Sequence, residues 1–240
     1  MPLRVASFNI HHGVGLDGSL DLDRTAREIE GVQPDVVALQ EVDRHLSARS
    51  GWVDQAGWLA ERLGLDVVHG PNIDLDPHDP GAPRRAYGNA VLSAHPIRSW
   101  RNIPLPGGDG GEPRGLLEVF VEVGEAVVCI AATHLQHRSA IDRLDQARRI
   151  AEVISAAPGP TVLLGDMNAT PDSPEIAVLT GVLVDAWAAV GDGEGLTFDA
   201  ASPHARIDYV LTSRDVAAAA AWVVPTDASD HYPVVADLVI

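Results

Sequence analysis

Polar residues capable of chemistry gather in this sequence where apolar runs stop. The run Thr161–Leu164 reads as a buried strand. It ends at Gly165, where the backbone can turn or approach a neighbour closely, and an acid and an amide follow as Asp166 and Asn168. The carboxyl end of a core strand is a common place for α/β-type proteins to set their chemistry. It is also an expensive place for an unpaired carboxylate. Taken alone, the segment reads equally as an Asx turn or a helix cap. Other strand ends repeat the pattern: Asn9 with His11 and His12, Glu41, Tyr87 with Asn89, His134, Asp208, and Asp230 with His231. Each has an ordinary explanation as a cap, a turn or a bonded core group. Several in one chain point to convergence on one pocket.

The residue types narrow the chemistry. Glu41, Asp230 and Asn9 offer hard oxygen ligands, suited to Mg2+ or Mn2+ rather than Zn2+. His134 and His231 can donate hydrogen bonds to a phosphoryl group, and Asp166 can orient or deprotonate a water. The chain has no HExxH, no paired CxxC, no Walker A sequence, no GxGxxG and no GxSxG elbow. Every one of its 17 bases is Arg, so a lysine nucleophile or Schiff base is excluded. Arg114, at the start of a strand, reads either as a phosphate ligand or as a solvated strand end. His11 and His12 read either as facing the site or as flanking it.

A net charge of −17 repels polyanions, so nucleic acid is a possible partner that the charge does not favour. The single Cys129 rules out a disulfide framework within the chain and fits a reducing, cytoplasmic setting. No apolar run reaches the roughly 18 residues of a membrane span. The N-terminus lacks a signal-peptide core and reads as the first strand.

Eleven strands are expected to position these residues: 3–10, 35–42, 66–68, 89–93, 97–103, 116–123, 126–133, 161–164, 206–212, 217–224 and 234–239. Helices are expected over 24–31, ending at Gly31, and over 54–63, 140–156 and 174–180. In the third, Ile141, Leu144, Ala147, Ala151 and Ile154 form a one-sided apolar stripe, and Ser139 with Asp142 resembles a capping box. The four strands from Asn89 to Thr133 read as an antiparallel meander, and the order of elements favours an α+β fold. No linker divides the chain and no internal repeat is visible, so residues 1–240 read as one domain. Three loops rich in Gly, Pro and Asp, Gly70–Ala86, Pro104–Pro113 and Gly191–Ala205, read either as walls of a binding site or as disorder.

Seven short motifs occur in order: Ser7-Phe8-Asn9, Leu39-Gln40-Glu41-Val42, Tyr87-Gly88-Asn89, Thr133-His134-Leu135, Gly165-Asp166-Met167-Asn168, Arg206-Ile207-Asp208-Tyr209 and Ser229-Asp230-His231. Together they resemble the endonuclease/exonuclease/phosphatase superfamily over almost the whole chain, Ser7 to Pro233. The resemblance implies a four-layer α/β/β/α sandwich with two central, mostly antiparallel sheets and a site at one rim. It implies that Glu41 is the principal metal ligand with Asn9 beside it, and that Asp230 is a further ligand. Asp166 would align or activate the attacking water, and Asn168 would hold that water and a phosphate oxygen. His231 would contact phosphate, oriented by Asp208. His134 would be a second phosphate contact with Asn89 as its neighbour, and Tyr87 would line the pocket. The implied activity is Mg2+- or Mn2+-dependent hydrolysis of a phosphoester, in the first place a phosphodiester of a small molecule or lipid head group. A DNA or RNA nuclease is the alternative, and a non-catalytic binding protein of the same fold is a second.

Overall fold

Strands buried on both faces need apolar residues at every position, which is why these runs are continuous rather than alternating. The structure is a computed structural model that describes residues 2–240 except Asp109 and Pro158, so Asp109 of the expected Pro104–Pro113 loop lies outside the described residues. One sheet holds β1 (Pro2–Asn9), β2 (Val36–Arg44), β3 (Asp66–Leu75), β4 (Arg85–Ser93), β11 (Ala217–Val223) and β12 (Val234–Val239), in the order β11-β12-β1-β2-β4-β3. The other holds β5 (Ile97–Pro104), β6 (Gly115–Val123), β7 (Ala126–His134), β8 (Thr161–Asp166), β9 (Val184–Asp185) and β10 (Asp208–Thr212), in the order β5-β6-β7-β8-β10-β9. Each sheet has a parallel pair at its centre, β1 with β2 and β7 with β8, and its other neighbours are antiparallel.

A parallel pair needs a crossover. α1 (Leu22–Val32) supplies the first and α3 (Ala140–Ala156) the second, while α2 (Gln55–Leu63), α4 (Pro174–Thr180) and α5 (Ala186–Val190) follow β2, β8 and β9. Three apolar clusters define the layers. Leu3, Val5, Val36 and Ala38 of one sheet meet Val119, Ile130, Val162 and Leu164 of the other in the central core. Phe8, Leu39 and Leu92 pack outward on Ile29 and Leu59 of α1 and α2. Leu163, Tyr209 and Leu211 pack outward on Ile150, Ile154, Ile176 and Leu179 of α3 and α4. The result is the expected four-layer α+β sandwich.

Four local expectations are corrected. The residues from Asn89 do not open a four-strand meander: β4 pairs with β2 and β3, and only β5, β6 and β7 run on as one. The short link after Ser93 carries the chain from one sheet to the other. α1 does not stop at Gly31 but at a left-handed Gln33. Ser139 does cap α3, accepting from the Asp142 amide at 3.2 Å, but the apolar stripe is turned. Ile141 is 76% exposed, and the inward face is Gln146, Ala147, Ile150, Val153 and Ile154. Gln146 is drawn in because its side chain satisfies two loop backbone groups, accepting from Gln136 N at 2.8 Å and donating to Pro106 O at 2.9 Å. The two short elements β9 and α5 were not expected.

Gly165 serves close approach, not a turn. A Cβ there would lie 2.1 Å from the Thr133 carbonyl oxygen on β7. Gly165→Ala is therefore expected to lower stability by about 2 kcal/mol or more in urea denaturation. An unchanged midpoint would show that β7 and β8 are not packed this closely.

Candidate active site

Strand parity aims the polar residues at one place. Side chains alternate across a strand, and the central core takes Leu3 and Val5 of β1, Val91 of β4, Ile130 and Ala132 of β7, Val162 and Leu164 of β8, and Val210 of β10. Continuing each alternation puts Asn9, Tyr87, Asn89, His134, Asp166 and Asp208 on the same inner faces, at or near the strand ends. Register then sets them side by side. His134 pairs with Asp166 across the parallel β7/β8 ladder, and Asp208 pairs with Asp166 across β8/β10.

Glu41 has the wrong parity. Val37 and Leu39 face outward, so Glu41 should too, yet Val42 also lies in the outward cluster. A β-bulge resolves this: the β2/β4 register shifts between Leu39 and Val42, and Glu41 takes a left-handed φ of 58°. Such bulges re-aim side chains. His11 and His12, both at φ 45°, and Asn168, at φ 48°, share that conformation. It costs about 1–3 kcal/mol for each residue that does not favour it; Asn168 favours it more than the others.

The inner groups close on one carboxylate. Asp166 is 1% exposed. Its Oδ1 accepts from Asn168 N at 2.8 Å, which is the Asx turn that the sequence also allowed. Its Oδ2 accepts from Asn9 Nδ2 at 3.1 Å, and lies 3.4 Å from His134 Nε2 and 3.7 Å from His231 Nε2. Asn9 Nδ2 also reaches Glu41 Oε1 in its own sheet at 3.3 Å, so this one amide links Glu41 of one sheet to Asp166 of the other. His231 Nδ1 bonds Asp208 Oδ2 at 2.9 Å.

The two imidazoles are driven in opposite directions. Burial opposes charge on His231, but Asp208, Asp166 and the Asp208 hydrogen bond outweigh it and raise its pKa to about 10. Burial, reinforced by the Arg114 charge, holds His134 well below the usual histidine range. Burial, reinforced by Asp208, lifts the Asp166 carboxyl to about 7, against the pull of His231 and the bonds from Asn168 and Asn9. Burial also opposes ionisation of Glu41, but the neighbouring His12, His134 and His11 imidazoles and the Asn9 hydrogen bond hold its carboxyl well below the usual range.

Above these groups is a cavity of about 390 Å3 lined by Glu41, Tyr87, Arg114, His134, Asp166, Asn168, Asp230 and His231. Three expected site residues sit behind its wall. Asn9 links Glu41 to Asp166, Asp208 backs His231, and Asn89 donates to the Gly115 and Ala132 carbonyls at 3.3 and 3.5 Å. Arg114 is no solvated strand end: its side chain is 2% exposed and pairs with Glu112 at 2.5 Å.

Six further residues were not singled out from the sequence. Arg49, Glu112, His137 and Phe198 line the cavity. Gln55 fixes the backbone near Glu41, and Thr197 that near Asp208. Two of the three flagged loops supply Glu112, Thr197 and Phe198. In the third, β3 runs to Leu75 and contributes Ile73 to the wall. Arg49 and His137 carry no motif; they arrive through the fold.

The donor set fits a hard divalent cation. Glu41 and Asp166 present carboxylates, and Asn9 Nδ2 donates to both while its Oδ1 accepts from His11 N at 3.1 Å, so its oxygen would reach an ion beside them only if the amide turned over and gave up the His11 bond. Asp230 lines the same cavity. A second grouping, Asp166, Asp208 and His231, has ligand atoms within 4.8 Å of one another and could also hold an ion. Its His231 Nδ1 is already engaged by Asp208.

The Endonuclease/Exonuclease/phosphatase family matches residues 6–231. The chain belongs to this family. Like other members of the endonuclease/exonuclease/phosphatase family, it has the architecture of a divalent-metal-dependent phosphoester hydrolase. An endonuclease/exonuclease/phosphatase from Beutenbergia cavernae DSM 12333 is 32% identical, with a TM-score of 0.84 over 99% of this chain and 71% of that one. A mannosyl-6-phosphatase from Bacteroides thetaiotaomicron VPI-5482 superposes at 0.81 with 20% identity, over 99% of this chain and 100% of that one. Danio rerio TDP2 complexed with a single-strand DNA product superposes at 0.75 with 19% identity, over 100% and 99%. These last two share the fold. The Escherichia coli K12 protein YbhP, itself described as uncharacterized, is 28% identical over 176 residues, 69% of this chain and 66% of that one.

Thr197 braces the Asp208 backbone from behind, and Phe198 packs against His231 in the cavity wall. Thr197 Oγ1 accepts from the Ile207 and Asp208 amides at 3.2 and 3.3 Å, and the Phe198 ring lies 4.7 Å from the His231 ring. Thr197→Val keeps the shape and leaves two buried donors unpaired. It should cost about 1–3 kcal/mol in urea denaturation, and wild-type stability would remove Thr197 from this role.

Proposed function

We propose that this protein hydrolyses a phosphodiester of a small molecule or lipid head group, with Glu41, Asn9 and Asp230 holding Mg2+ or Mn2+. The observation that carries the reading is the buried Asp166 carboxylate at the cavity floor, ringed by Asn9, His134, Asn168 and His231. The bound cation supplies charge neutralisation for the phosphoryl oxygens. Asp166 aligns a water and accepts its proton as the water oxygen bonds phosphorus and the ester P–O bond breaks, the departing alcohol oxygen taking a proton from solvent; the Asn168 side chain, which donates to Leu135 O at 3.1 Å, limits where that water sits. His231, kept cationic by Asp208, and His134 donate to the non-bridging oxygens as charge gathers there. Tyr87 and Arg114 shape the wall that meets the rest of the substrate. Asn89 supports His134 from below by fixing the Ala132 carbonyl of the same strand.

Charge pairing supports a small substrate over a long nucleic acid. At least fourteen of the seventeen arginines lie within 4 Å of a carboxylate, including Arg49 and Arg114 in the cavity wall. Little free positive charge remains to track a phosphate backbone. Leu46, Ile73, Phe198 and Ile207 add apolar wall to a cavity of modest size. Among the described residues no helix is long and apolar enough to cross a membrane. The lone buried Cys129 suits work in the cytoplasm.

Bis-p-nitrophenyl phosphate should be cleaved with Mg2+ or Mn2+ present, and cleavage should vanish with chelator and return with either ion. Plasmid DNA should be cut far more slowly. Full activity in excess chelator overturns the metal-dependent reading, and faster cleavage of plasmid turns the substrate class to nucleic acid. Asp166→Asn and His231→Ala should each lower kcat by about a hundredfold or more with far-UV circular dichroism unchanged. Near-normal turnover in either variant removes that residue from the mechanism, and no turnover by the wild type on any phosphoester leaves a binding protein of this fold.

A further inference from the structure

One nitrogen beside Glu41 is unaccounted for. His12 Nδ1 is shielded from solvent and has no hydrogen-bond partner. It lies 3.8 Å from Glu41 Oε2, beyond hydrogen-bond reach. A buried polar atom without a partner is costly enough to require an explanation. The position is also built. His11, His12 and Gly13 are consecutive left-handed residues at φ 45°, 45° and 82°, facing the left-handed Glu41. Gln55, fully buried, locks the two segments together: its Nε2 donates to His12 O at 2.6 Å, and its Oε1 accepts from Asp43 N, two residues past Glu41, at 2.9 Å. A similar spacing occurs next door, where the more exposed His11 Nδ1 stands 3.8 Å from Asp230 Oδ1.

We propose that His12 supplies a nitrogen ligand to the divalent cation held by Glu41 and the Asn9 amide, giving a mixed nitrogen and oxygen site that prefers a first-row transition ion to Mg2+. The proposal rests on Glu41 being the metal ligand named above. A carboxylate oxygen and an imidazole nitrogen that face each other without bonding are placed for a shared ion, since ligands reach such ions at about 2.0–2.2 Å. One ion then satisfies both groups. Imidazole selects for transition ions, whereas Mg2+ takes oxygen. The strained turn at His11 and His12 gains a purpose in the same step, because it brings the ring to the bulged Glu41.

Pulsed electron paramagnetic resonance on the full chain loaded with Mn2+ alone tests this without substrate. The spectrum should show 14N modulation from a directly bound imidazole. His12→Asn, which tolerates the left-handed backbone, should abolish that modulation and weaken Mn2+ binding by about tenfold or more, while Mg2+ affinity changes less than about threefold. Glu41→Gln should weaken both ions. Modulation that persists in His12→Asn and disappears in His231→Leu places the ion at Asp166, Asp208 and His231 and overturns the proposal. No modulation in the wild type, with Mn2+ still lost in Glu41→Gln, leaves an all-oxygen site and overturns it too. Intact 14N modulation in a protein that cleaves no phosphoester counts against the proposed hydrolase and not against His12 ligation.

Discussion

A carboxylate buried as deeply as Asp166 must be surrounded or protonated, and the rest of the molecule is arranged around that requirement. Its neighbours come from five places: Asn9 from β1, His134 from β7, Asn168 from the turn after β8, Asp208 from β10 through His231, and His231 itself. Only Asn168 is local; the others come from far along the chain. They depend on a parallel ladder that sets His134 beside Asp166 and an antiparallel one that sets Asp208 on the other side. A slip of one residue in either register would turn those side chains into the helical layer. The continuous apolar packing on both faces of β7 and β8 is what prevents it.

Asp166 and Glu41 reach the cavity by different means. Asp166 follows the alternation of its strand, while Glu41 departs from it and depends on a bulge and a left-handed residue. The strain is not spread evenly. His11, His12, Glu41 and Asn168 carry it at the site, and Gln55 anchors two of these segments with a single side chain. Two histidines of opposite character share one acid, one kept charged by Asp208 and one kept neutral by burial and Arg114.

Much of this was legible in the sequence, for physical reasons. Strands buried on both faces announce themselves as apolar runs, and polar residues at their ends stand out against them. What stayed hidden depends on partners far along the chain. The inward face of α3 departs from its apolar stripe because Gln146, polar by type, is drawn inward by the backbone of Gln136 and Pro106. The supposed meander broke because nothing in Ala94–Pro96 reveals a change of sheet. The bulge at Glu41 is invisible without β4 opposite it. Arg49 enters the cavity wall through its bidentate pairing with the fully buried Asp43. His137 gives no sign in the sequence that Arg114 waits beside it.

The two sheets share one wiring: a central parallel pair joined through a helix, then an antiparallel pair added on the far side of its second strand. Asn9 and Glu41 occupy the strands of one sheet that His134 and Asp166 occupy in the other. The molecule therefore behaves as a caliper. Its jaws are the polar strand ends, and the distance between them is set by the Val, Leu and Ile side chains stacked below, in a layer about 10 Å thick. A methylene added to or removed from that layer alters the opening at the rim. Core volume here is held to the tolerance of bond-making distances, which is tighter than folding alone would demand.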